Sequence, residues 1–250
     1  LKLISLLILM PTALVFLAKA NEPLLFIVNH PGSLPYLYFD RDKEIYQGII
    51  PDILNGLVET NQLNIKYISN SRKRSEEFMY QGGADLMMLS QRWLKEPDKL
   101  IATVPLFQHR SFLYKNTAFE KDFSLENSTS AKNICTRKGY TYPKLKTYFR
   151  DRMLMRVDSS SHLSMLRMLS KNRCDFAIMN EFNALNLINS SFFKDDKFYR
   201  SKHPVSIVPL NIILRSSLVR EKEILDRHIS KLQESGELQD FIDQHTAKPD

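Results

Sequence analysis

Residues 133–179, NICTRKGYTYPKLKTYFRDRMLMRVDSSSHLSMLRMLSKNRCDFAIM, hold the pattern that decides the fold. Residues 133–137 read as a strand, Gly139-Tyr140-Thr141 as a turn and residues 143–150 as a helix. A second strand follows at 154–157, then a helix at 161–170 with Leu163, Leu166 and Met168 on or near its apolar side, then a strand at 174–179. Strands alternating with helices predict a mostly parallel sheet covered on both faces. The same order of signals occurs earlier in the chain. Leu24 to Val28 is a continuous apolar run, as a doubly covered strand requires. A Pro/Gly-rich loop spans residues 29–38, and Ile49, Ile50, Ile53, Leu54, Leu57 and Val58 recur at helical spacing over 49–59. Strands at 65–68 and 86–89 flank a helix at 75–80 that ends at Gly82-Gly83.

Two such units predict two α/β lobes, each doubly wound. The remaining segment, a strand at 205–214 with helices at 221–234 and 238–244, has no third lobe to join and returns most simply to the first. The expected division is residues 21–107 with 205–250 in lobe 1 and residues 108–204 in lobe 2. The chain then crosses near 106–116 and again near 200–204, which makes a two-strand hinge over a cleft.

The first twenty residues, LKLISLLILMPTALVFLAKA, are read apart from the fold. Lys2, an apolar stretch from Ile4 to Leu17, and Ala18-Lys19-Ala20 form the three parts of a secretory signal peptide cleaved after Ala20. Pro11 interrupts the apolar stretch, which falls short of the roughly 20 residues that a membrane span needs. Export places the mature chain in an oxidising compartment, where its 2 Cys can pair. Cys135 and Cys174 sit in the first and third strands of lobe 2, neighbours in a 2-1-3 order. A Cys135–Cys174 disulfide is therefore expected, with two buried thiols as the alternative.

Composition narrows the function classes. The 250 residues are 43% hydrophobic and 25% charged, which excludes a disordered tail or a disulfide-dense miniprotein. Net charge is +7, yet the basic residues are scattered and no zinc-finger spacing occurs, so no nucleic-acid partner is expected. His30, His109, His162, His203, His228 and His245 are isolated from one another. There is no HExxH, P-loop, GxSxG or GxGxxG, so the sequence points to no metal, no cofactor and no familiar catalytic constellation.

Several segments, taken in order, resemble the family 3 extracellular solute-binding proteins, bilobal type 2 periplasmic receptors of polar amino-acid uptake. Leu34-Pro35-Tyr36-Leu37-Tyr38 followed by Gln47-Gly48-Ile49-Ile50-Pro51-Asp52 is similar to that family's opening "PPF-x-F … GF-x-x-D". Gln81 to Asp85 is similar to its "G-x-x-D" before the third strand. Residues 134–142 (ICTRKGYTY) are similar to its "VGVQ-x-GTTY", residues 166–179 to its "AL-x-x-G-x-VDAVV", and Glu234 to Leu238 to its terminal helix break. The resemblance covers nearly all of residues 22–245. It implies a monomeric, periplasmic, non-enzymatic protein that captures a small polar or anionic solute. The implied membrane partner is an ABC permease or a sensor kinase. An alternative on the same scaffold is an enzyme of the cyclohexadienyl dehydratase type, with Glu96 or Glu181 as the acid/base group.

The resemblance also marks where this chain departs from the pattern. The family's carboxylate-binding Arg lies nine residues before a Pro-aromatic pair; here that count from Pro105 reaches Glu96. Arg92, or Lys95, is the expected substitute, because Ser90, Arg92 and Trp93 directly follow a strand end where ligands bind in such sheets. The family's ammonium-binding Asp corresponds to Asn180, beside Glu181. Tyr36 and Tyr38 occupy the position of an aromatic wall. Gly139 and Thr141 precede a helix, with Thr141 as the expected N-cap and the helix N–H groups available to an anion. Arg72, Lys73 and Arg74 either rim the cleft or face solvent. His109 and Arg110, with Arg137 and Lys138, would make the mouth positive.

Overall fold

The computed structural model describes residues 22–127 and 130–246; the expected signal peptide lies outside the described residues. The chain runs β1 (Leu24–Asn29), β2 (Gly32–Ser33), β3 (Leu37–Asp40), β4 (Ile45–Gln47), α1 (Ile49–Glu59), β5 (Ile65–Asn70), α2 (Arg72–Tyr80), β6 (Leu86–Leu89) and β7 (Leu100–Ala102). It continues through β8 (Phe107–Lys115), β9 (Lys132–Arg137), α3 (Lys146–Arg150), β10 (Leu154–Ser159), α4 (His162–Ser170), β11 (Phe176–Asn180) and α5 (Glu181–Ile188). The last elements are β12 (Tyr199–Arg200), β13 (Ser206–Arg215), α6 (Val219–Ser235) and α7 (Glu237–Thr246).

Strand order along the main path is β10-β9-β11-β8-β13-β6-β1-β5. Each half thus places its strands second-first-third, β5-β1-β6 in one and β10-β9-β11 in the other, all parallel. Two antiparallel strands join the halves. β8 pairs with β11 through residues 111–114 and with β13 through 107–111, while β13 continues onto β6 through 211–214.

Side chains alternate between the two faces of each half, as the period of a strand requires. Phe26 and Val28 enter one core with Ile53, Leu57, Leu225 and Ile229, whereas Ile27 enters another with Met79, Met87 and Ile213. In the other half Cys135, Ala177 and Met179 face Leu166 and Leu169, and Ile134, Phe176 and Ile178 face the opposite layer. The spacing read at 49–59 buries Ile49, Ile50, Ile53, Leu54 and Leu57, each stabilising by about 1.5–3 kcal/mol, while Val58 stays exposed.

Several local expectations need correction. The loop at 29–38 contains β2 and the start of β3, which with β4 form a small separate sheet. Helix α2 begins at Arg72, three residues earlier than read, because its first turn is basic rather than apolar and gives no periodic signal. The helix read at 143–150 opens as a 3-10 turn, Pro143–Leu145, and only Lys146–Arg150 is α-helical. Thr141 does not cap it; Tyr142 occupies the cap position with no side-chain cap bond. Helix α5 was not foreseen at all.

Cys135 and Cys174 form a disulfide with Cα atoms 5.7 Å apart and a sequence separation of 39. Cys174 lies just ahead of β11 rather than within it, and β11 pairs with β9 at Ala177 and Cys135. Closing a loop of that length lowers the entropy of the unfolded chain. Replacing both cysteines by Ser should lower unfolding stability by ~2–4 kcal/mol in urea titrations; an unchanged midpoint would contradict a stabilising crosslink.

Candidate functional site

The C-terminal ends of β1, β6 and β11 converge on one cavity, the position at which open α/β sheets bind ligands. Ile27, Val28 and Asn29 line it from β1, Met88 and Leu89 from β6, and Ile178, Met179 and Asn180 from β11. The linking strands add His109, Ser111, Ser206 and Leu210. The cavity measures about 90 Å³ and is open to solvent on one side.

Tyr36 is held in the wall by the start of α1. The first amides of that helix, Ile49 and Ile50, donate to the carbonyls of Pro35 (3.1 Å) and Tyr36 (2.9 Å). These bonds satisfy N–H groups that a helix start otherwise leaves open. Gly48 permits the approach: its φ is 122°, and a Cβ there would fall 2.6 Å from both carbonyl oxygens. The Tyr36 ring stacks on Phe107 at 5.5 Å, and its hydroxyl donates to Asn180 Oδ1 at 2.7 Å. Burial pushes the Tyr36 phenol well above its usual range, which keeps it a donor.

Asn180 is 3% exposed and does three things. Its Oδ1 accepts from Tyr36 and from Phe182 N (2.9 Å), capping α5, and its Nδ2 donates to the Arg110 carbonyl (3.1 Å). One turn on, Asn183 Nδ2 donates to Ser33 Oγ (3.1 Å) and to the Leu34 carbonyl. Arg137 Nη2 donates to the His30 carbonyl at 3.3 Å, and Gly139 (φ 82°) abuts the first turn of α2. The two halves therefore touch directly around the cavity.

Two histidines face the cavity in the neutral form. Burial pushes His109 down to about 4; its Nδ1 is buried with no partner and its ring meets Trp93 edge-on at 5.0 Å. Burial, then the positive charge of Arg137 and the proximity of His109, push His162 down to about 3.

The sequence-read residues divide between wall and surroundings. Tyr36, Trp93, His109, Thr141 and Asn180 line the cavity. Arg92 and Lys95 are exposed and outside it. Ser90 is fully buried behind Leu89, with its hydroxyl unpartnered. Tyr38 lies in β3 opposite Gln47, in the small sheet. Arg110 and Arg200 pair with Glu181, at 2.5 and 3.7 Å, away from the lining. Glu96 pairs with Lys99 in an exposed loop. Of the basic triplet, Arg72 lines the cavity and bonds Glu76 at 2.5 Å, whereas Lys73 and Arg74 are exposed.

Sequence reading missed Asn183 and His162 as lining residues and left Arg72 between the cleft rim and solvent. His162 carried a readable signal: Ser161 caps α4 by accepting from Ser164 N (3.0 Å), directly after β10. Asn183 carried none without α5.

No known family profile and no curated protein sequence matches the chain. Solved structures do match over nearly its full length. The ligand-binding core of GluR0 in complex with L-glutamate aligns with a TM-score of 0.76 at 14% identity, covering 91% of this chain and 100% of that one. A histidine kinase sensor domain with similarity to periplasmic binding proteins aligns with a TM-score of 0.74 at 12% identity, covering 92% and 99%. The periplasmic binding protein of an arginine transport system from Legionella pneumophila aligns with a TM-score of 0.71 at 15% identity, covering 89% and 99%. The chain has the type 2 periplasmic binding fold. Identities this low establish the architecture alone, and within that fold the interlobe position of the cavity is the feature that bears on function.

The neutral histidines couple folding to pH. Their folded values of about 4 and 3 lie below the unfolded value, so between those limits the unfolded chain binds more protons. Stability should therefore fall as pH drops from about 6.5 towards 4, by up to ~1.4 kcal/mol per pH unit for each histidine. Urea unfolding at pH 7 and pH 5 measures this, and His109→Gln should flatten the slope. Equal stability at the two pH values would contradict buried neutral imidazoles.

Proposed function

We propose that this protein is a periplasmic solute-binding receptor that encloses a small polar or anionic solute between its halves and presents the closed form to a membrane partner. The observation that carries the reading is a single cavity walled by strand ends of both halves and bordered by direct side-chain bonds across the seam, from Tyr36 to Asn180 and from Asn183 to Ser33. A solute bound there touches both halves at once, so it binds the closed arrangement better than the open one, and only such differential affinity drives closure.

Export by the N-terminal signal, a periplasmic location and the disulfide form a consistent set. No helix among the described residues is long and apolar enough to cross a membrane. Solved structures of the same fold include a transport-system binding protein and a kinase sensor domain, which supports a membrane partner of one of these two kinds. Delivery to an ABC permease, by a receptor acting as a monomer, is the reading we favour. The carboxylates that an acid/base enzyme on this scaffold would use, Glu96 and Glu181, are engaged by Lys99 and by Arg110 outside the cavity.

The test is a thermal-shift screen of polar and acidic solutes, followed by small-angle scattering and product analysis on those that stabilise. A receptor should gain stability, compact on ligand addition and return the ligand unaltered. Asn183→Ala should shift the free protein towards the open form, through loss of about 1–3 kcal/mol of seam bonding, visible as a larger radius of gyration. Conversion of a stabilising solute to product, or stabilisation without compaction by every solute that binds, would overturn the reading.

A further inference from the structure

The cavity has an unusual charge arrangement for a site that would hold a zwitterion. Among the described residues no Asp or Glu lines it. Arg72 and Lys144 do line it; the charge of Arg72 is met by Glu76, itself 4% exposed, and Lys144 is exposed at the mouth. Arg137, set behind Tyr140 and His162 and not in the lining itself, is different. It is 4% exposed, donates only to the carbonyls of Ser160 and His30, and keeps a buried Nε with no partner. No carboxylate pairs with it among the described residues; its guanidinium lies 5.6 Å from the ring of Tyr140. Tyr140, whose ring Arg137 faces, and His162, whose protonation its charge opposes, both line the cavity. A buried cation without an anion is costly, and an incoming anion relieves that cost.

Apart from several Asn, Ser and Thr side chains, the rest of the wall is apolar and aromatic. Tyr36, Trp93, Tyr142, Met88, Ile178 and Leu210 surround the space, and the two histidines are uncharged. An α-ammonium group placed here would lose its water, meet no carboxylate and sit in the field of Arg137. The side chain isosteric with a carboxylate at the seam is Asn180, whose amide oxygen is already occupied by Tyr36 and the α5 cap.

We propose that the solute captured by this site is a small carboxylic acid with a single-ring apolar body and no ammonium group. The carboxylate offsets the unmatched charge of Arg137, and the ring packs on the aromatic and aliphatic wall. The inference rests on the receptor reading above and names the solute class within it.

Isothermal titration of the full mature chain with two matched pairs tests it: 3-phenylpropionate against L-phenylalanine, and 3-(4-hydroxyphenyl)propionate against L-tyrosine. Members of each pair differ only in the α-ammonium. The expected result is that the deaminated acid of at least one pair binds tenfold or more tighter than its amino acid. Arg137→Gln should weaken that acid at least tenfold. Asn180→Asp, which supplies a carboxylate and keeps a capping side chain, should shrink the preference at least tenfold. Equal or tighter binding of the amino acids, or binding of none of the four, overturns the inference. The wild-type comparison needs neither variant, so a failure of either to fold leaves it intact. If another solute class compacts the protein while these acids do not bind, the receptor reading stands and this inference falls. If no solute compacts it, both fall.

Discussion

The hydrogen bond from the Tyr36 hydroxyl to Asn180 Oδ1, 2.7 Å long and buried, is the constraint on which the cavity depends. Its two ends belong to opposite halves of the molecule, and each end is fixed by a helix start. Tyr36 is carried by carbonyls that accept from the first amides of α1, and Asn180 is the residue that caps α5. The distance across the seam is thus set by two helix termini, elements far more rigid than the loops they anchor. The same arrangement uses up those helix N-terminal amides internally, so neither terminus is left to grip an anion.

Charge then has to come from side chains, and the wall distributes it unevenly. Acidic groups near the cavity are each turned towards a cation: Glu76 to Arg72, Glu181 to Arg110 and Arg200, Asp158 to Arg156. The imidazoles that face inward are held neutral by burial. What is left is a hydrogen-bonding, aromatic interior with one buried guanidinium behind it. That differs in kind from a pair of fixed opposite charges.

Much of this was legible from residues alone. The apolar run at Leu24 to Val28, repeated in kind before Met179, carried the doubled α/β organisation, because a strand covered on both faces has to be apolar throughout. Asn180 and Tyr36 were marked only by the motif resemblance, and both line the cavity. What could not be read was direction. Arg92 and Trp93 are adjacent in one 3-10 turn, yet Trp93 faces the cavity and Arg92 faces solvent. That choice is made by the packing of the loop, including the Lys95 amide donating to Glu76 at 3.0 Å, a contact 19 residues distant in sequence. Helix α5 gives no clear sequence signal, because its capping Asn180 and acidic first residue Glu181 are equally the residue types of a ligand site.

Strand β13 belongs to both halves. Residues 206–210 pair with β8, 211–214 pair with β6, and Pro209 within it has no N–H to give to the ladder. A continuous ribbon of two antiparallel strands resists stretching and lateral slip along its length but bends readily across its plane. Any change of angle between the halves has to be taken up in this ribbon, because both strands that join them run through it.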